Sequence, residues 1–157
     1  MKTTTKEYKT NIPKFSLIRE KTDFKKIKIT KSSDAANYAY CFYENDIDII
    51  ESFFVLMLNN ANNTIGYVKI SQGGIAGTIV DALVIAKYVV QSMAKSVILV
   101  HNHPSGKLKP SQADKEITQK IKKGLQFLDV RVLDHIILTP KDDESLKYFS
   151  FGDEGII

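Results

Sequence analysis

Four consecutive aliphatic residues, Val97, Ile98, Leu99 and Val100, run without a break into His101-Asn102-His103-Pro104-Ser105-Gly106. An unbroken apolar run of this length suits a strand covered on both faces, so the chain must supply a layer on either side of it. Side chains two apart on a strand point the same way, which lets His101 and His103 converge on one point at the strand's end. Pro104 and Gly106 turn the chain there instead of extending the strand. Neutral imidazole is the commonest metal ligand, and two rings from one strand end need little extra ordering.

The remaining pattern supplies the layers. Residues 52–59 read as a buried strand, Asn59-Asn60-Ala61-Asn62-Asn63 as a turn, and 64–71 as the partner strand. Ser32-Ser33-Asp34 reads as the N-cap of a helix over 35–43. Gln72-Gly73-Gly74 and Gly77 form a flexible connection to a helix capped by Thr78 or Asp81 and running to about Met93. A further helix spans 111–127, followed by a strand over 130–138 and a short one near 146–151. Residues 15–20 and 24–30 read as short edge strands, with Ile27 and Ile29 alternating with lysines. Strands alternating with helices predict the α/β class: one layered domain over residues 14–157, with a mixed β-sheet flanked by helices. A length of 157 residues is enough to bury a core. With 43% hydrophobic and 25% charged residues, a disordered or collagen-like chain is excluded.

Asp114 is the least ordinary residue of the pattern. Ala113, Ile117, Ile121, Leu125 and Leu128 form an apolar stripe at spacings of three and four, with Lys115, Glu116, Gln119, Lys122 and Lys123 on the other side. At 100° per residue Asp114 falls inside that stripe. A carboxylate turned toward a core needs a partner, because burying it alone costs several kcal/mol or forces it neutral. Coordination of a metal with His101 and His103 supplies one, and two histidines, one aspartate and a water make an open four-coordinate site of catalytic type. The alternative for Ser111-Gln112-Ala113-Asp114 is a capping box at the helix N-terminus, with aspartate in place of glutamate.

The same residues carry a family resemblance. His101-x-His103-Pro104, six residues, Ser111, two residues and Asp114 resemble the metal-binding signature of the JAMM (MPN-plus) metalloproteases, with no position missing. HNHPSG at the first histidines, LDHIIL over 133–138, ESFFVLMLN over 51–59 and ISQGG over 70–74 are similar to the RadC branch of that superfamily, and the similarity runs from about Phe15 to the C-terminus. Two departures stand out: no counterpart is read of the helix-hairpin-helix DNA-binding region of longer RadC proteins, and Asp81-Ala82-Leu83 stands where many relatives have an Arg-Glu pair.

The resemblance implies a JAB/MPN-like fold and a metal-dependent hydrolase of the metallopeptidase or isopeptidase type, with one Zn2+, or another divalent transition metal, held by His101, His103 and Asp114. It implies that Glu51, which spacing does not single out from Glu44, Asp46 and Asp48, takes the proton of a metal-bound water. Ser111 matches the serine that stabilises the oxyanion, beside its other reading as a helix cap. His135, next to Asp134 and the apolar run 136–138, reads as structural. A peptide or protein substrate follows from this reading.

Charge distribution keeps a different class open. Residues 1–31 carry ten lysines and arginines against three acids, and residues 32–157 carry twelve against fifteen. Residues 1–13 therefore read as a basic flexible arm on a slightly acidic body, and such an arm suits an anionic polymer. A DNA-repair-associated nucleic-acid-binding protein without peptidase activity is the alternative function, supported by Lys107, Lys109, Lys115, Lys120, Lys122 and Lys123 around the same segment. A third reading keeps the metal as a structural clip on an inactive binding module. The longest apolar run, residues 53–58, is strand-sized, no apolar signal segment opens the chain, and Cys41 is the single cysteine, so the expectation is a soluble cytoplasmic protein without a membrane partner.

Overall fold

The structure is a computed structural model that describes residues 24–43, 45–73, 80–142 and 145–157. The basic arm at 1–13, the expected strand at 15–20, Thr78 and most of the glycine-rich connection lie outside these residues. In chain order the elements are α1 (Ser32–Tyr40), β1 (Ser52–Leu58), β2 (Thr64–Gln72), α2 (Ala82–Ser92), β3 (Ser96–Asn102), α3 (Gln112–Gln126), β4 (Arg131–Leu138) and β5 (Tyr148–Ser150).

The strands form one mixed sheet in the order β2-β1-β3-β4-β5. β3 pairs antiparallel with β1 and parallel with β4, so it lies at the centre. Its seven residues are all buried, as the uninterrupted apolar run requires. Strand alternation divides the core in two. Phe54, Leu56, Leu58, Ile98, Val100, Ile136 and Leu138 pack under α1, where Ala35, Ala36 and Ala39 let the helix approach closely. Phe53, Val55, Met57, Val97, Leu99 and Val132 pack under α2 and α3, against Ile85, Val89, Ile121 and Leu125. This is the layered α/β domain that the sequence predicts, with α1 on one face of the sheet and α2 and α3 on the other.

Local chemistry sets the helix ends. The Asp81 carboxylate accepts from the Leu83 N–H at 2.8 Å and caps α2, which stops at Met93 in the left-handed region (φ 54°). The helix expected over 35–43 begins and ends three residues earlier. Asp34 lies in its first turn, not before it, and accepts from the Thr30 and Lys31 N–H groups at 2.9 and 3.2 Å. Residues 24–30 make a single bridge, Lys28 to Asn63, in place of the expected edge strand. Their backbone is drawn to the turn before β2: the Ile29 N–H donates to Asn62 O at 2.9 Å, and the Thr64 N–H to Ile27 O at 2.9 Å. No helix among the described residues is long and apolar enough to cross a membrane.

Candidate metal centre

The end of β3 delivers three consecutive side chains to different duties. His101 continues the parity of Val97 and Leu99 and faces α3, 1% exposed and stacked on Phe53 with ring centroids 6.1 Å apart. Asn102 faces the opposite side. His103 lies past the last strand residue, where its N–H donates to Leu138 O at 2.8 Å and ties the turn to the end of β4. Gly106 closes that turn with φ 78°, a conformation suited to glycine, and donates its N–H to His103 O at 3.0 Å.

Asp114 arrives from the first turn of α3. Its Oδ2 accepts from the Ser111 N–H at 2.6 Å, while Ser111 Oγ accepts from the Asp114 N–H at 3.1 Å, so the capping box is formed. The same carboxylate reaches the histidines: Oδ1 is 3.3 Å from His101 Nε2 and Oδ2 is 3.5 Å from His103 Nε2. The two Nε2 atoms are 2.9 Å apart. One donor atom from each of the three side chains falls within 4.8 Å of the others, a grouping able to hold a metal ion. The capping box is formed, and the same carboxylate belongs to the group of three side chains that could hold a metal ion. The stripe that revealed Asp114 differs in detail: Thr118, Ile121 and Leu125 are buried, whereas Ala113 is exposed and Leu128 is 45% exposed.

Hydrogen-bond partners fix where the protons are. His103 Nδ1 is 2.6 Å from Lys107 O, a pure acceptor, so Nδ1 carries a proton and donates it. His101 Nδ1 is 2.7 Å from Nε2 of His135. His135 is completely buried against Phe151, and its Nδ1 is 2.6 Å from Thr118 Oγ1, which donates to Asp114 O at 2.5 Å. With both Nδ1 positions engaged, the Nε2 atoms turn inward toward the carboxylate. A neutral ring offers a lone pair there, and two such lone pairs beside a carboxylate repel unless a cation or a proton lies among them.

Ionisation follows the same logic. Burial on its own raises the Asp114 pKa, but positive charge among the carboxylate, His101 and His103, carried by protons where no metal is bound, together with the Ser111 contact, outweighs it and holds the carboxyl well below the usual range. Burial lowers the His103 pKa, and its bonds to Asp114 and the Lys107 carbonyl, with the charges of Asp114 and Glu51, more than reverse this. Burial, with His101 next to it, pushes His135 well below the ordinary imidazole value. His135 is therefore a neutral ring behind the ligands. As the sequence reading has it, His135 stands outside the group that could hold a metal ion, and its hydrogen bonds to His101 and Thr118 join it to that group's surroundings.

Glu51 precedes β1 and is half-buried. β1 pairs Phe53 with His101, and continuing that register by two residues puts Glu51 opposite His103, on the same face of the sheet. Asn102, the unassigned position of the His101-x-His103 pattern, holds this segment. Its Oδ1 accepts from the Ser52 N–H at 2.8 Å and its Nδ2 donates to Ile50 O at 2.9 Å and Ile47 O at 2.7 Å, so the backbone is clamped on both sides of Glu51. Ser111 is exposed, and as a cap its oxygen accepts, which leaves its proton to donate. A cleft of about 210 Å³ lined by Ile29, Ser32, Asp134 and Asp153 among others shares no residue with the cluster.

Residues 29–156 match the profile of the RadC-like JAB domain. A UPF0758 protein of Flavobacterium johnsoniae is 54% identical over 106 residues, covering 68% of this chain and 44% of that protein. A UPF0758 protein of Porphyromonas gingivalis is 39% identical over 107 residues, covering 68% and 45%. The UPF0758 protein YfjY of Escherichia coli is 39% identical over 107 residues, covering 68% and 64%. The matched region thus spans less than two thirds of the length of these relatives. With the profile running through β1, His101, His103, α3 and β4, the chain belongs to the RadC-like JAB domain family.

Proposed function

We propose that this domain is a metal-dependent hydrolase that cleaves amide bonds in a peptide or isopeptide substrate, with zinc held by His101, His103 and Asp114. The observation that carries the proposal is the inward convergence of two imidazole Nε2 atoms and a carboxylate at separations of 2.9, 3.3 and 3.5 Å. Ligands about 2.0–2.1 Å from a tetrahedral zinc stand roughly 3.3–3.4 Å from one another, and the two nitrogens and the two carboxylate oxygens, Oδ1 toward His101 and Oδ2 toward His103, lie at separations of that order. Two imidazoles and a carboxylate suit zinc, and leave a position for water or substrate.

When bound, zinc supplies Lewis acidity, polarising a carbonyl and making water acidic enough to lose a proton near neutral pH. The protein's own residues supply the rest. Glu51, on the face of His103, accepts that proton and returns it to the leaving amine, a task that suits a carboxylate outside the ligand set. Its place is held by the Asn102 clamp on the peptide groups before and after it. The Ser111 hydroxyl, while accepting the cap bond from Asp114, donates its proton to the oxyanion of the tetrahedral intermediate.

Metal content of the purified protein, together with cleavage of an isopeptide-linked substrate panel, tests the proposal. Glu51→Gln retains zinc and loses hydrolysis, whereas His103→Ala loses both. A Glu51→Gln protein that cleaves as fast as wild type removes Glu51 from the mechanism. A protein that binds zinc yet shows the same lack of turnover with and without Glu51 supports the structural-clip reading instead.

A further inference from the structure

A ring bonded at Nδ1 can still carry its proton on the wrong nitrogen, and the tautomer of His101 is decided two residues away from it in space. The chain of contacts runs His101 Nδ1 to His135 Nε2 at 2.7 Å, His135 Nδ1 to Thr118 Oγ1 at 2.6 Å, and Thr118 Oγ1 to the Asp114 carbonyl at 2.5 Å. Its polarity can be read from the far end. A carbonyl oxygen only accepts, so the single hydroxyl proton of Thr118 goes to Asp114 O. The Thr118 oxygen is then the acceptor for His135, whose proton must be on Nδ1. In the neutral ring Nε2 is left as an acceptor, and the hydrogen it takes is the one on His101 Nδ1. His101 therefore presents Nε2 to Asp114 and His103 as a lone pair.

The surroundings keep this order. His135 and Thr118 are both 0% exposed. Phe151 stacks on His135 at 4.7 Å and Phe53 packs against it in a T-shaped pair at 5.6 Å, and at 0% exposure the ring is shut off from water. The three contributing elements are β3, β4 and α3, joined by the register that pairs Leu99 with His135 and His101 with Ile137.

We infer that His135, backed by Thr118, is a positioning residue that holds His101 as the Nδ1–H tautomer and so aims its Nε2 lone pair into the metal position. The inference rests on His101 being a ligand, and the relay ends on the backbone of the third ligand, so one hydrogen-bonded chain ties the orientation of His101 to the helix turn that carries Asp114. Partners of this kind change metal affinity by about 10–100-fold when removed.

Two measurements test it, both on the full chain. In the 15N-labelled metal-free protein at alkaline pH, where the rings are neutral, long-range proton–nitrogen spectra should show His101 and His135 both protonated on Nδ1. Protonation of His101 on Nε2 overturns the inference. Competition of the protein with a chelator for zinc alone should show Thr118→Val and His135→Phe binding about 10–100-fold more weakly, with Thr118→Ser restoring wild-type affinity. Wild-type affinity in a folded Thr118→Val protein overturns it, and a failure of Thr118→Ser to rescue assigns the loss to packing and also overturns it. If the substituted chains do not fold, the spectrum of the wild type still decides. A wild type that does not bind zinc refutes the hydrolase proposal, whereas zinc binding without sensitivity to Thr118 and His135 refutes only this inference.

Discussion

Asp114→Asn separates the two duties that one carboxylate performs. Oδ2 accepts from the Ser111 N–H at 2.6 Å and so satisfies one of the free donors at the start of α3. An asparagine keeps that bond through its carbonyl oxygen, losing only the charge that favours the helix N-terminus. The amide NH2 then takes the place of Oδ1, 3.3 Å from His101 Nε2, and donates to its lone pair, while the carbonyl oxygen stays on the side of His103. Losing the charge at a helix N-terminus costs about 0.3–1 kcal/mol, so the metal-free variant should be within about 1 kcal/mol of wild type. Toward a cation the same swap puts a donor where an anionic ligand stood. At free zinc 100 times the dissociation constant, binding adds about 2.7 kcal/mol to the native state. At roughly 2–4 °C per kcal/mol for a chain of this size, the wild-type melting temperature should rise by about 5–11 °C. Melts followed by far-ultraviolet circular dichroism, with chelator and with zinc, read both duties. The variant should melt near wild type in chelator and show none of the rise in zinc. A full zinc shift in Asp114→Asn refutes coordination by this carboxylate, and a loss beyond about 3 kcal/mol in chelator refutes the division of roles by making its duty mainly structural.

Glu51→Gln should keep zinc stoichiometry and lower amide hydrolysis by about 10²–10⁴-fold, measured as kcat/KM on a cleaved substrate; an unchanged rate refutes the proton-transfer role. Asn102→Ala removes the three bonds to Ile47, Ile50 and Ser52 and should cost about 3 kcal/mol or more in urea unfolding, because buried backbone groups lose their partners. A cost near zero would show that the segment carrying Glu51 is held by something else. Asp134 gives the pH dependence: burial pushes its pKa up against the bonds from Ser150, Gly152 and His135. Because the folded pKa lies above the unfolded one, the native state holds the proton longer, and this contribution is lost as pH rises through the folded value. Asp134→Asn, which can accept from the Gly152 and His135 N–H groups and donate to Ser150 Oγ, should therefore gain on wild type at neutral pH. The gain should shrink on acidification, and urea midpoints that stay a constant distance apart across pH would contradict it.

The parts of this site legible in the sequence are those that depend on short-range geometry. His101 and His103 share a side because a strand repeats every two residues, and Asp114 points inward because a helix repeats every 3.6. The same rules exposed the layers, since an apolar run such as residues 97–100 has to be covered on both faces. What long-range pairing decides was not legible. His135 meets His101 because β3 and β4 run parallel in a register that joins residues 34 apart in the chain. Nothing in either segment states that register. Thr118 lies on the buried side of α3 with Ile121 and Leu125, but nothing in its own segment shows that its hydroxyl meets His135. Ala113 and Leu128 misled the stripe in the opposite way, because an apolar side chain near a helix end is under no obligation to be buried. The strand expected over 24–30 failed for a similar reason: alternation in Ile27 and Ile29 gives a face, but the neighbour that would complete a ladder has to come from elsewhere in the chain.

Asp114 shows why a choice between a bland and a functional reading can be a false one. A carboxylate has two oxygens and about four acceptor directions, and a capping bond uses one of them. The Ser111 N–H at 2.6 Å takes that one, and in doing so fixes the rotamer that turns the remaining lone pairs toward His101 and His103. The cap is therefore the device that orients the carboxylate toward the two imidazoles. A longer glutamate at this position could close the same box, but its extra methylene would carry the carboxylate past the two imidazoles. The aspartate that departs from the usual capping-box residue is thus explained by the site it faces.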